Sequence, residues 1–114
     1  MMAKLMNKTQ NAMIVSKVTE ANSLKDRLLG LLTYQNLENE SLWIKSCNSI
    51  HTYFMKFAID VVFVDSQLQV KAIRRNVKPW RFVLPVFGAN SVFELPAGTL
   101  TQDNLRLGDH LDVS

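Results

Sequence analysis

The run Ile59-Asp60-Val61-Val62-Phe63-Val64 constrains this chain more than any other stretch. All of its residues but Asp60 are β-branched or aromatic hydrophobes, and they show no helical period. A strand apolar on both sides belongs in the middle of a sheet with both faces covered. Asp60 sits inside that strand, where its carboxylate must be paired, hydrogen-bonded or protonated, because a lone buried charge is costly. The surrounding stretch, Cys47 to Asp65, also holds the only cysteine and one of the two histidines.

Strand patterns recur on either side. Ala12–Val18 reads as the first strand, preceded by residues 1–11 as a polar, flexible leader. Leu42–Ser46, Ile50–Met55 and Leu68–Ile73 follow, the last reached through a turn at Asp65-Ser66-Gln67. Phe82–Leu84, Val92–Leu95 and Leu111–Val113 complete the set, with Gly98 and Gly108 placed in turns that need positive φ. Ser23, with Asp26 three residues on, opens one short helix from about Ser23 to Leu29, and Gly30 stops it. Thr101 reads as the cap of a short helical turn through Asp103 and Leu105. Many short strands with one early helix predict a mainly β domain over residues 12–114, either a small β-sandwich or a partly closed β-barrel.

Composition narrows the class. Hydrophobic residues make up 47% and charged residues 20%, which suits a globular chain and excludes general disorder. One cysteine forms no internal disulfide, the N-terminus lacks a signal-like apolar run, and no window reaches membrane-span length. The expectation is a cytoplasmic protein. The net charge of +3 is unevenly spread. Lys71, Arg74, Arg75, Lys78 and Arg81 lie between Asp65 and Glu94 with no acid among them. Such a segment fits an acidic partner or nucleic acid, although two solvated, mutually compensating edges are the plainer reading.

An ordered set of motifs resembles the bacterial and archaeal "domain of unknown function 192" family. The set is Arg27-Leu28-Leu29-Gly30-Leu31, Phe54-Met55-Lys56-Phe57 leading into Ile59-Asp60-Val61-Val62-Phe63, then Pro79-Trp80-Arg81, Glu94-Leu95-Pro96-Ala97-Gly98-Thr99 and Leu107-Gly108-Asp109. The resemblance covers roughly residues 24–113 and implies a small, mostly β domain with no established activity. This chain departs from the family pattern at Ala58, where a proline is common, and near Tyr34, where a basic residue is common. The Cys47…His51 pair resembles a subgroup feature.

Three functional readings remain open. In the first, the protein is a non-catalytic module that binds a small molecule or a protein through a rim of Met55, Asp60, Trp80, Arg81 and Glu94. In the second, Cys47, His51 and Asp60 serve a small hydrolase or hold a metal, with His110 or Met55 as further ligands. Geometry limits that option, because four residues of strand span about 13 Å, so Asn48-Ser49 would have to turn tightly for the pair to meet. No paired ligand spacing accompanies these residues, and no cofactor is expected. The third reading, nucleic-acid binding through residues 71–81, rests on bases interleaved with Trp80 and Phe82 and is the weakest. Asp60 and Glu94 on adjacent strands would make a carboxylate pair if they shared a face. A monomer or weak dimer is expected.

Overall fold

The computed structural model describes residues 3–21, 40–53 and 55–114. The predicted helix from Ser23 to Leu29 lies outside the described residues. Among the described residues there is no helix, and all regular structure is β. None of them forms a helix long and apolar enough to cross a membrane.

The strands are β1 (Ala3–Asn7), β2 (Ala12–Ala21), β3 (Glu40–Lys45), β4 (Ile50–His51), β5 (Ile59–Val64), β6 (Val70–Val77), β7 (Phe82–Val83), β8 (Ser91–Pro96) and β9 (Leu111–Val113). Seven of them form one sheet in the order β6-β5-β8-β3-β2-β1-β9, while β4 and β7 pair separately. All neighbours in the large sheet run antiparallel except β2 and β3, which are parallel. The sheet curls into a half-barrel, and its two ends touch at a bridge between Gln69 and His110. There Val70 N–H donates to the Asp109 carbonyl at 2.8 Å and Gly108 N–H donates to the Val70 carbonyl at 3.0 Å.

Side-chain alternation divides the apolar residues into two cores. The inner core takes Leu5, Val15, Val62, Phe93, Leu95 and Leu111, with half-buried partners that bring every strand of the large sheet into it. Trp43 stacks on Phe93 there, with ring centroids 5.2 Å apart. The outer core takes Leu42, Ile44, Ile59, Val61, Phe63 and Val92 from the middle of the sheet. A cover formed by residues 46–53, Met55, Phe57 and residues 78–90 lies over it, contributing Ile50, Met55 and Val83. Strand β5 is therefore buried along its whole length, as its composition predicts.

Several predicted boundaries move. Residues 3–7, read as part of a leader, form β1 because Leu5 and Asn7 alternate inward within an otherwise polar stretch. The predicted strand Ile50–Met55 stops at His51, where Thr52 turns its hydrogen bonds to residues 78–81. Leu68–Ile73 shifts to Val70–Val77, because Leu68 adopts φ 62° in the turn. That turn is built on Asp65, whose side chain accepts the Gln67 and Gln69 amides at 2.9 and 3.0 Å. The Gln69 amide foremost, then Gln67 and Lys71, lower the Asp65 pKa against the opposing effect of burial. Thr101 does cap a turn, accepting from Asp103 and Asn104 N–H, but no helix follows. Gly98 and Gly108 have φ of 90° and 87°, as their turns require.

Candidate functional site

Asp60 faces the inner core, opposite Leu95 on β8, and is 1% exposed. One carboxylate oxygen accepts Asn76 N–H at 2.8 Å. The other accepts Gly98 N–H at 3.0 Å and Leu100 N–H at 2.9 Å. Its burial is thus met by three backbone donors, and its effect is to hold residues 97–110 across the mouth of the half-barrel. That loop is tied down at its other end as well. Buried Asn7 donates to Asp109 Oδ2 at 2.8 Å and to the Asn104 carbonyl at 2.9 Å. Asn104 in turn bonds across to Thr99 and Thr101.

Glu94 is also fully buried, but it pairs in register with Val61 and Leu42. Those residues belong to the outer core. Cross-strand partners share a face, so Glu94 points to the outer side and Asp60 to the inner side. The two carboxylates therefore do not form a pair. The five residues expected to share one rim separate accordingly: Met55 packs in the outer core, Asp60 lies behind the sheet, and Trp80 and Arg81 stand exposed on the cover.

The hydrolase or metal set does not assemble either. The Cys47 thiol donates to the Ser49 carbonyl at 2.7 Å, and its side chain packs beside the outer core. His51 Nδ1 accepts Tyr53 N–H at 3.3 Å, and the imidazole stacks on Tyr53 with centroids 4.7 Å apart. Asp60 lies on the inner face, and His110 sits at the closure of the half-barrel. Among the described residues, no three His, Cys, Asp or Glu side chains gather where they could hold a metal ion.

What the fold does assemble is an aromatic rim on the cover. Strands β4 and β7 pair Ile50 with Val83 and His51 with Phe82. Ile50 and Val83 point into the outer core, which turns His51 and Phe82 outward. Tyr53 stacks on His51, and Trp80 lies 6.0 Å from Tyr53 between ring centroids. Trp80 is 55% exposed, and Phe82, Leu84 and Phe87 of the same cover are exposed too. Of the large hydrophobics exposed among the described residues, only Met13 and Leu107 lie elsewhere.

Thr52, fully buried, fixes this rim. Its backbone N–H donates to the Arg81 carbonyl at 2.8 Å, and its carbonyl accepts Trp80 N–H at 2.9 Å. Its hydroxyl donates to the Lys78 carbonyl at 2.6 Å and accepts Arg81 N–H at 2.8 Å. These bonds hold Trp80 at φ 65°. A bulky residue there is a genuine outlier, at a cost of about 1 kcal/mol or more. Lys78-Pro79-Trp80-Arg81 has proline before the positive-φ residue, the arrangement of a turn that normally takes glycine at the Trp80 position. The sequence signal for Trp80 was this Pro-Trp step. Phe82 showed only as an aromatic among the bases of residues 78–82, and Thr52 and Tyr53 carried no comparable signal, because their roles arise from contacts between segments far apart in sequence.

A family model described as DUF192, Uncharacterized ACR, matches residues 5–113. A UPF0127 protein of Thermococcus sibiricus is 34% identical over 113 residues, covering 95% of this chain and 73% of the relative. A UPF0127 protein of Pyrococcus furiosus is 31% identical over 112 residues, covering 95% of this chain and 96% of the relative. Two crystal structures share the fold. One is a proposed transcription regulator from Sinorhizobium meliloti 1021, with TM-score 0.76 and 19% identity over 97% of this chain and 91% of that one. The other is a protein of unknown function from Novosphingobium aromaticivorans DSM 12444, with TM-score 0.77 and 18% identity over 97% and 83%. At these identities the likeness concerns the fold alone.

Proposed function

The chain belongs to the uncharacterised DUF192 family, and from that premise we propose that it is a non-catalytic binding module whose cover docks a partner protein in the cytoplasm. The observation that carries this reading is the exposed aromatic rim, with Trp80 held at an unfavourable φ while about half of its surface faces solvent. Strain of this kind persists only where the surroundings over-determine it, and it concentrates at functional sites. Tyr, Trp and Arg are also the residues that anchor protein interfaces, and Tyr53 and Trp80 lie side by side here, with exposed Arg81 next in the chain. A single, half-buried cysteine can form no internal disulfide, which suits a reducing compartment.

The test is site-specific photocrosslinking in the native host. A benzophenone amino acid replaces Phe82, and in a control chain it replaces Met13, which is exposed away from the cover. The expected result is a discrete protein adduct from position 82 that the Met13 label does not give. No adduct, or the same adducts from both positions, contradicts the reading.

A further inference from the structure

We propose that the groove along the outer edge of β6 receives an extended acidic segment of a partner protein, which joins the sheet as an additional strand. This surface is distinct from the aromatic rim and uses none of its residues. Strand β6 is an end strand of the large sheet. On the side away from β5 its backbone bonds at Val70 to Gly108 and Asp109, where the half-barrel closes. Beyond that point the strand borders an open groove of ≈ 700 Å³, floored by Lys71, Arg74 and Arg75 and walled by Arg106, Leu107 and Val86.

The groove lining contains four cations and no acid. Lys71 is partly answered by Asp65 at 3.6 Å, which lies outside the groove. The three arginines are steadied rather than neutralised. Arg75 donates through Nε to the Leu100 carbonyl and through Nη2 to the Thr101 carbonyl, both at 3.1 Å. Arg106 Nε donates to the Gln102 carbonyl at 3.4 Å, and Arg74 Nη1 donates to the Ile73 carbonyl at 3.1 Å. A guanidinium has five N–H donors, so each retains several for a carboxylate. Uncharged carbonyls fix the groups in place without cancelling their charge.

A strand edge and a cationic lining together select the occupant. A strand edge presents backbone N–H and C=O groups, and a peptide completes that ladder as a nucleic-acid strand does not. Side chains alternate along an added strand, so acidic residues at every second position would face Arg74, which shares the outer side with Val61. The residues between them would turn to the inner side and pack on Leu107, with Arg75 and Arg106 adding their charge from that side. A second copy of this chain is disfavoured, because pairing β6 with β6 would oppose like charges. The same cations that discourage self-association thus favour an acidic partner.

The test uses the intact protein and a short labelled peptide alternating Glu and Val. Its controls are a Lys-Val counterpart, a version with prolines in place of alternate valines, and oligothymidylate. We expect the Glu-Val peptide to bind at low salt and to slow amide exchange within Val70–Val77. Replacing valines by proline removes donors needed for the ladder and should weaken binding about tenfold. The double variant Arg74→Glu/Arg106→Glu should also weaken it about tenfold. If that variant does not fold, Arg74→Gln, at an exposed position, should still weaken binding several-fold. Several outcomes overturn the proposal: no binding of the Glu-Val peptide, equal binding of the Lys or proline peptide, binding of the oligonucleotide in place of the peptide, no effect of the arginine changes, or slowed exchange at β6 produced by a second copy at high protein concentration.

Discussion

The inner and outer faces of the central strands are both buried, yet they are closed by different chemistry. The inner face is shut by residues 97–110, and the fastenings are buried polar groups: Asp60 on three amides, Asn7 on Asp109 and Asn104. The outer face is shut by apolar residues of the cover, Ile50, Met55 and Val83, and Thr52 fastens that cover through its hydroxyl. The inner loop leaves Leu107 exposed, whereas the cover leaves Tyr53, Trp80, Phe82, Leu84 and Phe87. A closure that only has to hold buries its hydrophobes and satisfies its polar groups. One that exposes aromatics on a strained turn has the features that the proposed docking surface requires.

Asp60→Ala should have the largest effect. It would leave the buried amide of Leu100 and the part-buried amides of Asn76 and Gly98 without their acceptor. Each such loss costs about 1–3 kcal/mol at most, so roughly 4 kcal/mol in total is expected. Urea unfolding measures it. A loss below about 1 kcal/mol would mean that Asp60 is not the clasp of the inner face.

Thr52→Val should cost less, about 2 kcal/mol, because it removes the hydroxyl but leaves both backbone bonds of residue 52. Its more telling effect is local. Amide exchange at Trp80 and Arg81 should quicken while β5 and β8 stay protected, since the fastening lies on the cover and not in the sheet. Equal quickening in β5 would break the contrast between the two faces.

How much of this was legible depended on whether a signal lay within one segment. Strand β5 could be read from composition, β9 and most of β8 from pattern, and Gly98 and Gly108 from turn chemistry. The demand that Asp60 be hydrogen-bonded followed from burial alone, and the three amides meet it. Strand β1 was hidden because its inward positions include Asn7, a polar residue whose burial depends on Asp109 at the far end of the chain. The expected rim failed on register. Pairing Val61 with Glu94 puts Asp60 and Glu94 on opposite faces, and that offset is set by how β5 meets β8, not by either sequence. Thr52 was invisible for the same reason, since its partners lie on residues 78–81.

The central claim is that Trp80 serves a partner and not the fold, and Trp80→Gly tests it without any partner in hand. Glycine adopts φ 65° without strain, which should recover about 1 kcal/mol. Losing the ring contact with Tyr53 and adding freedom to the unfolded chain should give back a similar amount. The predicted result is an unfolding free energy within about 1 kcal/mol of the parent. A loss of more than about 2 kcal/mol would show Trp80 to be a structural plug over the outer core, and would contradict the reading of the cover as a docking surface.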